Sequence, residues 1–225
     1  TESAALEIFS ERGGDPNRAG KRHPLDPLLW RAHRPDEPSW PSPFGEGRPG
    51  WHIECQAIAL SYLGRHANGA LIDIQGGGSD LIFPHHEMSA SQTQIQTGRE
   101  FADFYVHAGM IGLAGEKMSK SRGNLVFVSQ LTASGISPMA IRIALLFSHY
   151  QSDRQWSDDV LNRAQQFLQR LTLNLSKSEV APTQSLISEI VSDLSRNLHT
   201  PAIFGGLEGW MSQTESGVVG GSAGE

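Results

Sequence analysis

The spacing of apolar residues predicts an α/β unit after Gly50. From Trp51 to Leu63 the apolar residues recur at helical intervals. Two short apolar runs, from Leu71 to Gly76 and from Tyr105 to Ile111, have the length of strands, and the stretch between them, Glu87 to Thr97, is compatible with a helix. This strand–helix–strand order favours an open α/β sheet.

Beyond Ser137 the pattern becomes helical. Ser137 and Pro138 form a good N-cap and first helical position, and Ser157 with two aspartates predicts the start of a second helix. A third apolar stripe at helical spacing starts at Leu186. The last ten residues, 216–225, are rich in Gly and Ser, so we expect a disordered tail.

The segment from Leu6 to Gly50 has a different composition. It contains eight of the twelve prolines together with many glycines. Proline and glycine interrupt regular structure, so this segment predicts an extended connector in which aromatic residues such as Trp30 and Trp40 act as anchors.

Composition excludes several classes of protein. The 225 residues suffice for a real core, and the single cysteine, Cys55, excludes a framework of internal disulfides. The net charge of −6 argues against nonspecific binding of nucleic acid, and no apolar run is long enough to cross a bilayer. We expect a cytoplasmic, monomeric protein that does not bind membranes, and the start at Thr1 suggests a fragment of a longer chain.

Two neighbouring motifs carry candidate chemistry. Gly76–Asp80 (GGGSD) follows a predicted strand, where backbone amides could cradle an anion or nucleotide, although the glycines alone favour a tight turn. In Phe83–Glu87 (FPHHE), Pro84 is expected to start a helix whose first turn presents His85 and His86. Cys55 and His85 could supply two ligands of a zinc site; the alternative is a buried cysteine and surface histidines.

The third motif, Lys117–Ser121 (KMSKS), places two lysines three residues apart beside glycines. Such a loop can close over a polyphosphate and neutralise the charge that develops on a leaving pyrophosphate.

This string matches the KMSKS signature of class I aminoacyl-tRNA synthetases. Together with Gly50–Cys55 (GWHIEC), the GGGSDL and FPHHE motifs and His107–Met110 (HAGM), it resembles the zinc-dependent cysteinyl-tRNA synthetase group over at least Trp30 to Trp156. The connector is similar to that of the ligases that join cysteine to glucosaminyl-inositol in mycothiol biosynthesis. Ser89 also stands where synthetases usually carry a glutamate zinc ligand, and no basic, aromatic-rich segment suited to an anticodon follows.

The resemblance implies a fold and a set of roles. The fold would be α/β: the second half of a class I synthetase Rossmann-like catalytic domain, followed by an α-helical region. The implied domains are a connective segment (1–45), the catalytic half with the KMSKS loop (46–132), a helical bundle (133–215) and the tail (216–225).

The implied site uses zinc and Mg·ATP to form cysteinyl-adenylate. Cys55 and His85 would bind zinc, with a third ligand, a cysteine, outside this sequence. Trp51 would form one wall of the cysteinyl pocket. The implied adenylate contacts are Gly78, Ser79, Asp80 and Ile111, and Lys117 and Lys120 would stabilise the transition state of adenylate formation.

Three functions remain open. The favoured one is a ligase that transfers cysteine from the adenylate to the amine of glucosaminyl-inositol. The second is a cysteinyl-tRNA synthetase, with tRNA as partner. The third is an inactive fragment or zinc-binding module, since no HxGH string, the other class I signature, occurs in these residues.

Overall fold

The computed structural model describes residues 1–64 and 69–223. Contacts between residues divide the chain into two compact units, Thr1–Ala108 and Gly109–Glu225. The predicted loop from Gly64 to Ala70 lies partly outside the described residues. Within the described ranges, no helix combines the length and apolar character that crossing a membrane requires.

The first unit begins with a helix and the connector. Helix α1 (Glu2–Glu11) precedes two short antiparallel strands, β1 (Trp30–Ala32) and β2 (Gly47–Pro49). Gly50 leads directly into α2 (Trp51–Leu63), and no side chain fits at Gly50 because a Cβ would lie 1.8 Å from the carbonyl oxygen of Leu28. The connector is therefore packed closely against the start of α2.

The predicted strand–helix–strand unit is confirmed. Strand β3 (Ile72–Gly78) pairs in parallel with β4 (Ala102–Ala108), and α3 (Glu87–Thr97) forms the crossover between them. The small apolar core of this unit lies at the start of the strands, around Ile72, Phe101 and Ala102. Further along, the neighbouring pair Ile74 and Phe104 is 61% and 67% exposed.

The bounds of β3 and β4 differ from those of the two predicted apolar runs. Strand β3 continues through all three glycines to Gly78, because they pair with Val106, His107 and Ala108. The second run begins three residues early, at Ala102, and stops at Ala108. A separate strand, β5 (Ile111–Leu113), follows in the second unit.

The second unit combines a small sheet with helices. Strand β5 pairs antiparallel with β6 (Glu116–Lys117) and parallel with β7 (Arg154–Trp156). The helices are α4 (Val128–Ala133), α5 (Pro138–Leu146), α6 (Asp158–Leu175), α7 (Gln184–Ser195) and α8 (Thr200–Glu215). The caps predicted at Ser137 and Ser157 are confirmed, since each hydroxyl accepts a backbone N–H of the following turn.

Helix α8 lies within the expected helical region (133–215), but apolar spacing did not predict it as a separate helix, because its glycines at 205, 206 and 209 have low helix propensity. Trp210 and Met211 of this helix are nevertheless buried in the largest apolar core, with Phe167 and Ile143. The part of the tail that the structure describes is also ordered, unlike the prediction. Gly221 exchanges two backbone hydrogen bonds with Val180, of 2.9 and 3.2 Å, which fix the chain there despite its composition.

Candidate active site

The glycine motif forms the end of strand β3 and leaves it through a short helical turn, Ser79–Leu81. The interpretation as a tight turn is therefore wrong for the three glycines. At Gly77 an added Cβ would lie 2.8 Å from Cε1 of His86 and 3.0 Å from Cδ1 of Leu81. Glycine is required at 77 because a buried histidine ring packs directly against the strand backbone.

His86 is the centre of a polar chain under this strand. Its Nε2 lies 2.9 Å from Nε2 of Gln75, and its Nδ1 lies 2.7 Å from Nε2 of His107. Burial, followed by the neighbouring His107 and His85, lowers the pKa of His86 to about 4, so the ring is neutral at neutral pH. With the Gln75 amide donating, the His86 proton must lie on Nδ1 and point to His107.

His85 lies beside His86, with ring centroids 5.7 Å apart, and contacts residues of α2 and α3. The segment Ile82–His86 is an irregular helical turn with a cis Phe83–Pro84 bond, and α3 begins only at Glu87. The expectation that Pro84 starts the helix is therefore wrong, because Phe83 has extended backbone angles that interrupt it. Both histidines are buried, which also contradicts the alternative of surface histidines.

Three side chains fix His85. The ring of Trp51 stacks on it with centroids 4.7 Å apart, and Nδ1 of His52 lies 2.9 Å from its Nδ1. The buried hydroxyl of Ser89 donates to the His85 carbonyl oxygen at 2.8 Å. Burial lowers the pKa of both histidines, that of His52 to about 4, so the pair is neutral at neutral pH.

Cys55 follows Trp51 by one turn of α2 and is half-buried. Burial, and then the nearby charge of Glu54, raise the pKa of its thiol. Among the described residues there is no group of three or more His, Cys, Asp or Glu side chains that could hold a metal ion. Within this part of the chain, Cys55 and His85 alone would therefore not complete the predicted zinc site.

Arg12, which follows α1, was missed by the sequence interpretation. Its guanidinium donates to the carbonyl oxygens of Asp80 and Phe83, two residues of the candidate site. A single arginine in a connector rich in charged residues gives no pattern from which this tether could be predicted.

The remaining predicted residues lie in the second unit. Ile111 is half-buried in β5 and packs against the helical core. Lys117 ends β6, and Lys120 opens a short helical turn, Lys120–Arg122; both side chains are exposed. Asn124 spans the loop, since it accepts from the Ser119 N–H at 2.9 Å and donates to the Lys117 carbonyl at 3.3 Å.

A match to a known protein family shows where the chain belongs. The family described as tRNA synthetases class I (C) catalytic domain matches residues 3–166. The chain belongs to this family. The matched residues therefore include both the buried histidines of the first unit and the KMSKS loop of the second.

The similar curated relatives are described as L-cysteine:1D-myo-inositol 2-amino-2-deoxy-alpha-D-glucopyranoside ligases. Those of Mycobacterium sp. (strain KMS) and Rhodococcus erythropolis are 56% and 54% identical over 213 residues, which is 94% of this chain and 50% of each relative. That of Thermomonospora curvata is 51% identical over 96% of this chain and 51% of its own length. The chain thus spans about half the length of these relatives.

Solved structures support the predicted fold class. The complex of Agrobacterium radiobacter LeuRS with tRNA and LeuAMS matches with a TM-score of 0.55 and 20% identity, over 80% of this chain and 29% of that one. Methionyl-tRNA synthetase of Mycobacterium tuberculosis, bound by methionyl-adenylate, matches with a TM-score of 0.53 and 19% identity, over 72% and 39%. The predicted α/β fold of a class I synthetase catalytic domain is confirmed.

Proposed function

We propose that the protein catalyses ATP-dependent ligation of L-cysteine to the amine of glucosaminyl-inositol through a cysteinyl-adenylate. The observation that carries this proposal is the 51–56% identity with ligases of that description over nearly the whole chain. The Ser89 hydroxyl adds support, because it is hydrogen-bonded to the backbone where a synthetase usually offers a carboxylate. We further propose that the protein acts in the cytoplasm, as a monomer, on small-molecule substrates.

The first unit would hold the cysteinyl-adenylate. Trp51 stands beside His85 as a wall of the cysteinyl pocket. Gly78, Ser79 and Asp80 follow the end of β3, where backbone N–H groups can approach the phosphate and ribose closely. Gly77 and His86 would act as positioning residues, since their contact fixes the strand immediately before these groups.

The second unit would supply the charge for adenylate formation. In that step the cysteine carboxylate attacks the α-phosphate of Mg·ATP, and pyrophosphate leaves. Lys117 and Lys120 are exposed on a loop held by Asn124, so their ammonium groups can neutralise the leaving pyrophosphate. Ile111 would border the adenine through its backbone. Neither step requires a protein nucleophile, so catalysis would come from positioning and charge neutralisation.

Zinc fits the donor chemistry of Cys55 and His85, although these two need further ligands. A neutral imidazole carries one proton, and Nδ1 of His85 already faces Nδ1 of His52. His85 can therefore offer Nε2 to a metal only if its Nδ1–H donates to His52, the arrangement by which a second residue usually orients a histidine ligand. When bound, zinc would favour the thiolate of cysteine over the hydroxyl of serine.

Metal analysis tests this assignment. We expect Cys55→Ala in the complete gene product to lose stoichiometric zinc, because a thiolate ligand disappears. Ser61→Ala, a substitution of an exposed residue on the same helix, should retain it. Stoichiometric zinc in Cys55→Ala would remove Cys55 from the ligand set.

A product assay tests the function. The complete gene product, given cysteine, Mg·ATP and glucosaminyl-inositol, should form the amide with one AMP for each product molecule. Cysteinyl-tRNA synthesis is the second candidate, favoured by the family that matches residues 3–166. Charging of tRNA without amide formation would replace the ligase by the synthetase. Absence of both activities would contradict both.

A further inference from the structure

A cavity of about 460 Å³ lies in the first unit beside the candidate cysteinyl pocket. It is bounded by the end of α1, the connector and the start of α2, and Trp51, His52 and Pro84 line it on the side of His85. Its volume is in the range of small-molecule sites, roughly 300–1,000 Å³. Among the residues that line it, only Trp51 has a role in the proposed cysteinyl-adenylate site.

The side chains of the cavity are those that recognise hydroxyl groups. Cationic donors line it: Arg12, Arg18, Lys21, Arg31 and Arg48. Two carboxylates, Asp15 and Asp26, supply acceptors. A sugar or cyclitol hydroxyl both accepts and donates a hydrogen bond, so a mixture of guanidinium and carboxylate groups suits a polyol.

Most of these groups are already engaged within the protein. The Lys21 ammonium donates to the Pro24 carbonyl at 2.8 Å, and Arg48 pairs with Glu37 at 2.8 Å. Arg18 differs, because its guanidinium has no hydrogen bond or ion pair with any other described residue. Five donor N–H groups therefore remain available at the cavity for a ligand.

Two residues connect the cavity to the reacting centre. Arg12 lines the cavity while its guanidinium donates to the carbonyl oxygens of Asp80 and Phe83. Trp51 stacks on His85 with part of its surface and remains 59% exposed. An exposed indole beside polar groups offers an apolar face to the C–H groups of a sugar ring. A ligand here would thus lie next to the residues proposed to hold the adenylate.

The charge of the lining suits an amine nucleophile. The five cationic side chains outnumber the two lining carboxylates and Glu37, which pairs with Arg31 and Arg48. Nearby positive charge disfavours the ammonium form of an amine. The free amine is the reactive form. Its nitrogen forms the C–N bond with the acyl carbon, while the bond from that carbon to the phosphate oxygen breaks. AMP leaves with the electron pair, and the proton passes to solvent.

We infer that this cavity is the acceptor site and that it binds a hydroxyl-rich amino sugar through Arg18, Asp15 and the exposed face of Trp51. This assignment rests on the proposed function, because it names the place of the acceptor in the same reaction.

Steady-state kinetics of the complete gene product with Arg18→Ala tests the assignment. Loss of charge-assisted hydrogen bonds should raise the KM for glucosaminyl-inositol by about tenfold or more. Arg22→Ala is the matched control, since Arg22 is also exposed in the connector and does not line the cavity. Arg18→Lys should recover part of the loss. Cysteine-dependent exchange of pyrophosphate into ATP needs no acceptor and serves as the internal reference.

The outcomes separate the two proposals. An equal acceptor KM in Arg18→Ala and Arg22→Ala overturns the acceptor site, and so does a matching rise in the KM for cysteine or ATP. Calorimetry with glucosaminyl-inositol measures binding without catalysis. Binding that Arg18→Ala weakens, in a protein that forms no amide, would keep the acceptor site and contradict the proposed function. If the wild-type protein forms the amide and Arg18→Ala leaves the KM for glucosaminyl-inositol unaltered, the proposed function stands and the acceptor site is contradicted.

Discussion

The two units of the chain hold their candidate residues by different means. The second unit surrounds an extensive apolar core that includes Phe167, Trp210 and Met211, and the KMSKS loop extends from the sheet beside it. The first unit has a small apolar core around Ile72 and Phe101. Its buried groups near the site are polar, and they are connected by hydrogen bonds and by the close contact at Gly77.

The difference shows which substitutions should matter in each unit. An apolar core loses stability in proportion to the volume removed, whereas a polar cluster fails when a partner is lost or a close contact is blocked. The second unit should therefore be most sensitive to smaller side chains. The first should be most sensitive to added atoms and altered hydrogen bonds.

The largest effect is expected for Phe167→Ala. Phe167 is 5% exposed and packs edge-to-face against Phe147 and Phe204, with ring centroids 5.8 and 5.2 Å apart. Its removal should lower the free energy of unfolding by about 3–5 kcal/mol. Leu173→Ala on the same helix removes a side chain that is 60% exposed and should have little effect in the same urea titration. Equal losses of unfolding free energy in Phe167→Ala and Leu173→Ala would contradict the claim that the apolar core stabilises the second unit.

The next effect is expected for Gly77→Ala. The added Cβ would collide with His86, whose ring is held by Gln75 and His107, at a cost of about 1–3 kcal/mol. Gly76→Ala is the matched control, because its Cβ would approach nothing closer than 3.9 Å. Gly77→Ala should lower both the melting temperature and the rate of cysteine-dependent pyrophosphate exchange, whereas Gly76→Ala should change neither. A neutral Gly77→Ala would show that the contact with His86 does not position the strand.

The smallest effect concerns an ion pair at the surface of the second unit. Hydrogen bonds from Arg170 and then from Asn174 lower the pKa of Glu215 to about 2. A carboxyl with a lowered folded-state pKa stabilises the fold above its unfolded value, and this contribution disappears as the pH falls through the folded value. Glu215→Gln should therefore be less stable than the wild type at pH 7.

The difference between the two proteins should close between the reference pKa of 4.5 and about pH 2. Glu208→Gln removes a carboxylate that has one bond of 3.1 Å to Arg163, and it controls for the loss of one negative charge on the same helix. Urea titrations at several pH values measure both. A difference between Glu215→Gln and wild type that persists unchanged to pH 2 would contradict this assignment.

Local patterns were sufficient to predict much of the fold. Helix α2 from Trp51 to Leu63, α3 from Glu87 to Thr97 and the caps at Ser137 and Ser157 follow from spacing and capping chemistry, which act within a few residues. Helix α8 could not be predicted in this way, because burial of Trp210 and Met211 outweighs the low helix propensity of its glycines.

The candidate site was predictable in its residue types and not in its contacts. Motifs identified His85 and the glycine strand. The contacts made by His52, Gln75 and Arg12 could not be predicted, because each joins residues that are distant in sequence. Arg12 lies 68 residues from Asp80, a separation at which no periodicity or motif can report a contact. Packing of Gly77 against His86 likewise became evident only from the paired strands.

The most direct measurement is amino-acid-dependent exchange of pyrophosphate into ATP by the complete gene product, with cysteine and serine compared. Formation of cysteinyl-adenylate is the step that the pocket around His85, the end of β3 and the KMSKS loop are all proposed to serve. We expect exchange with cysteine and a preference over serine of at least roughly 100-fold. Absence of exchange with cysteine, or equal exchange with serine, would contradict the account.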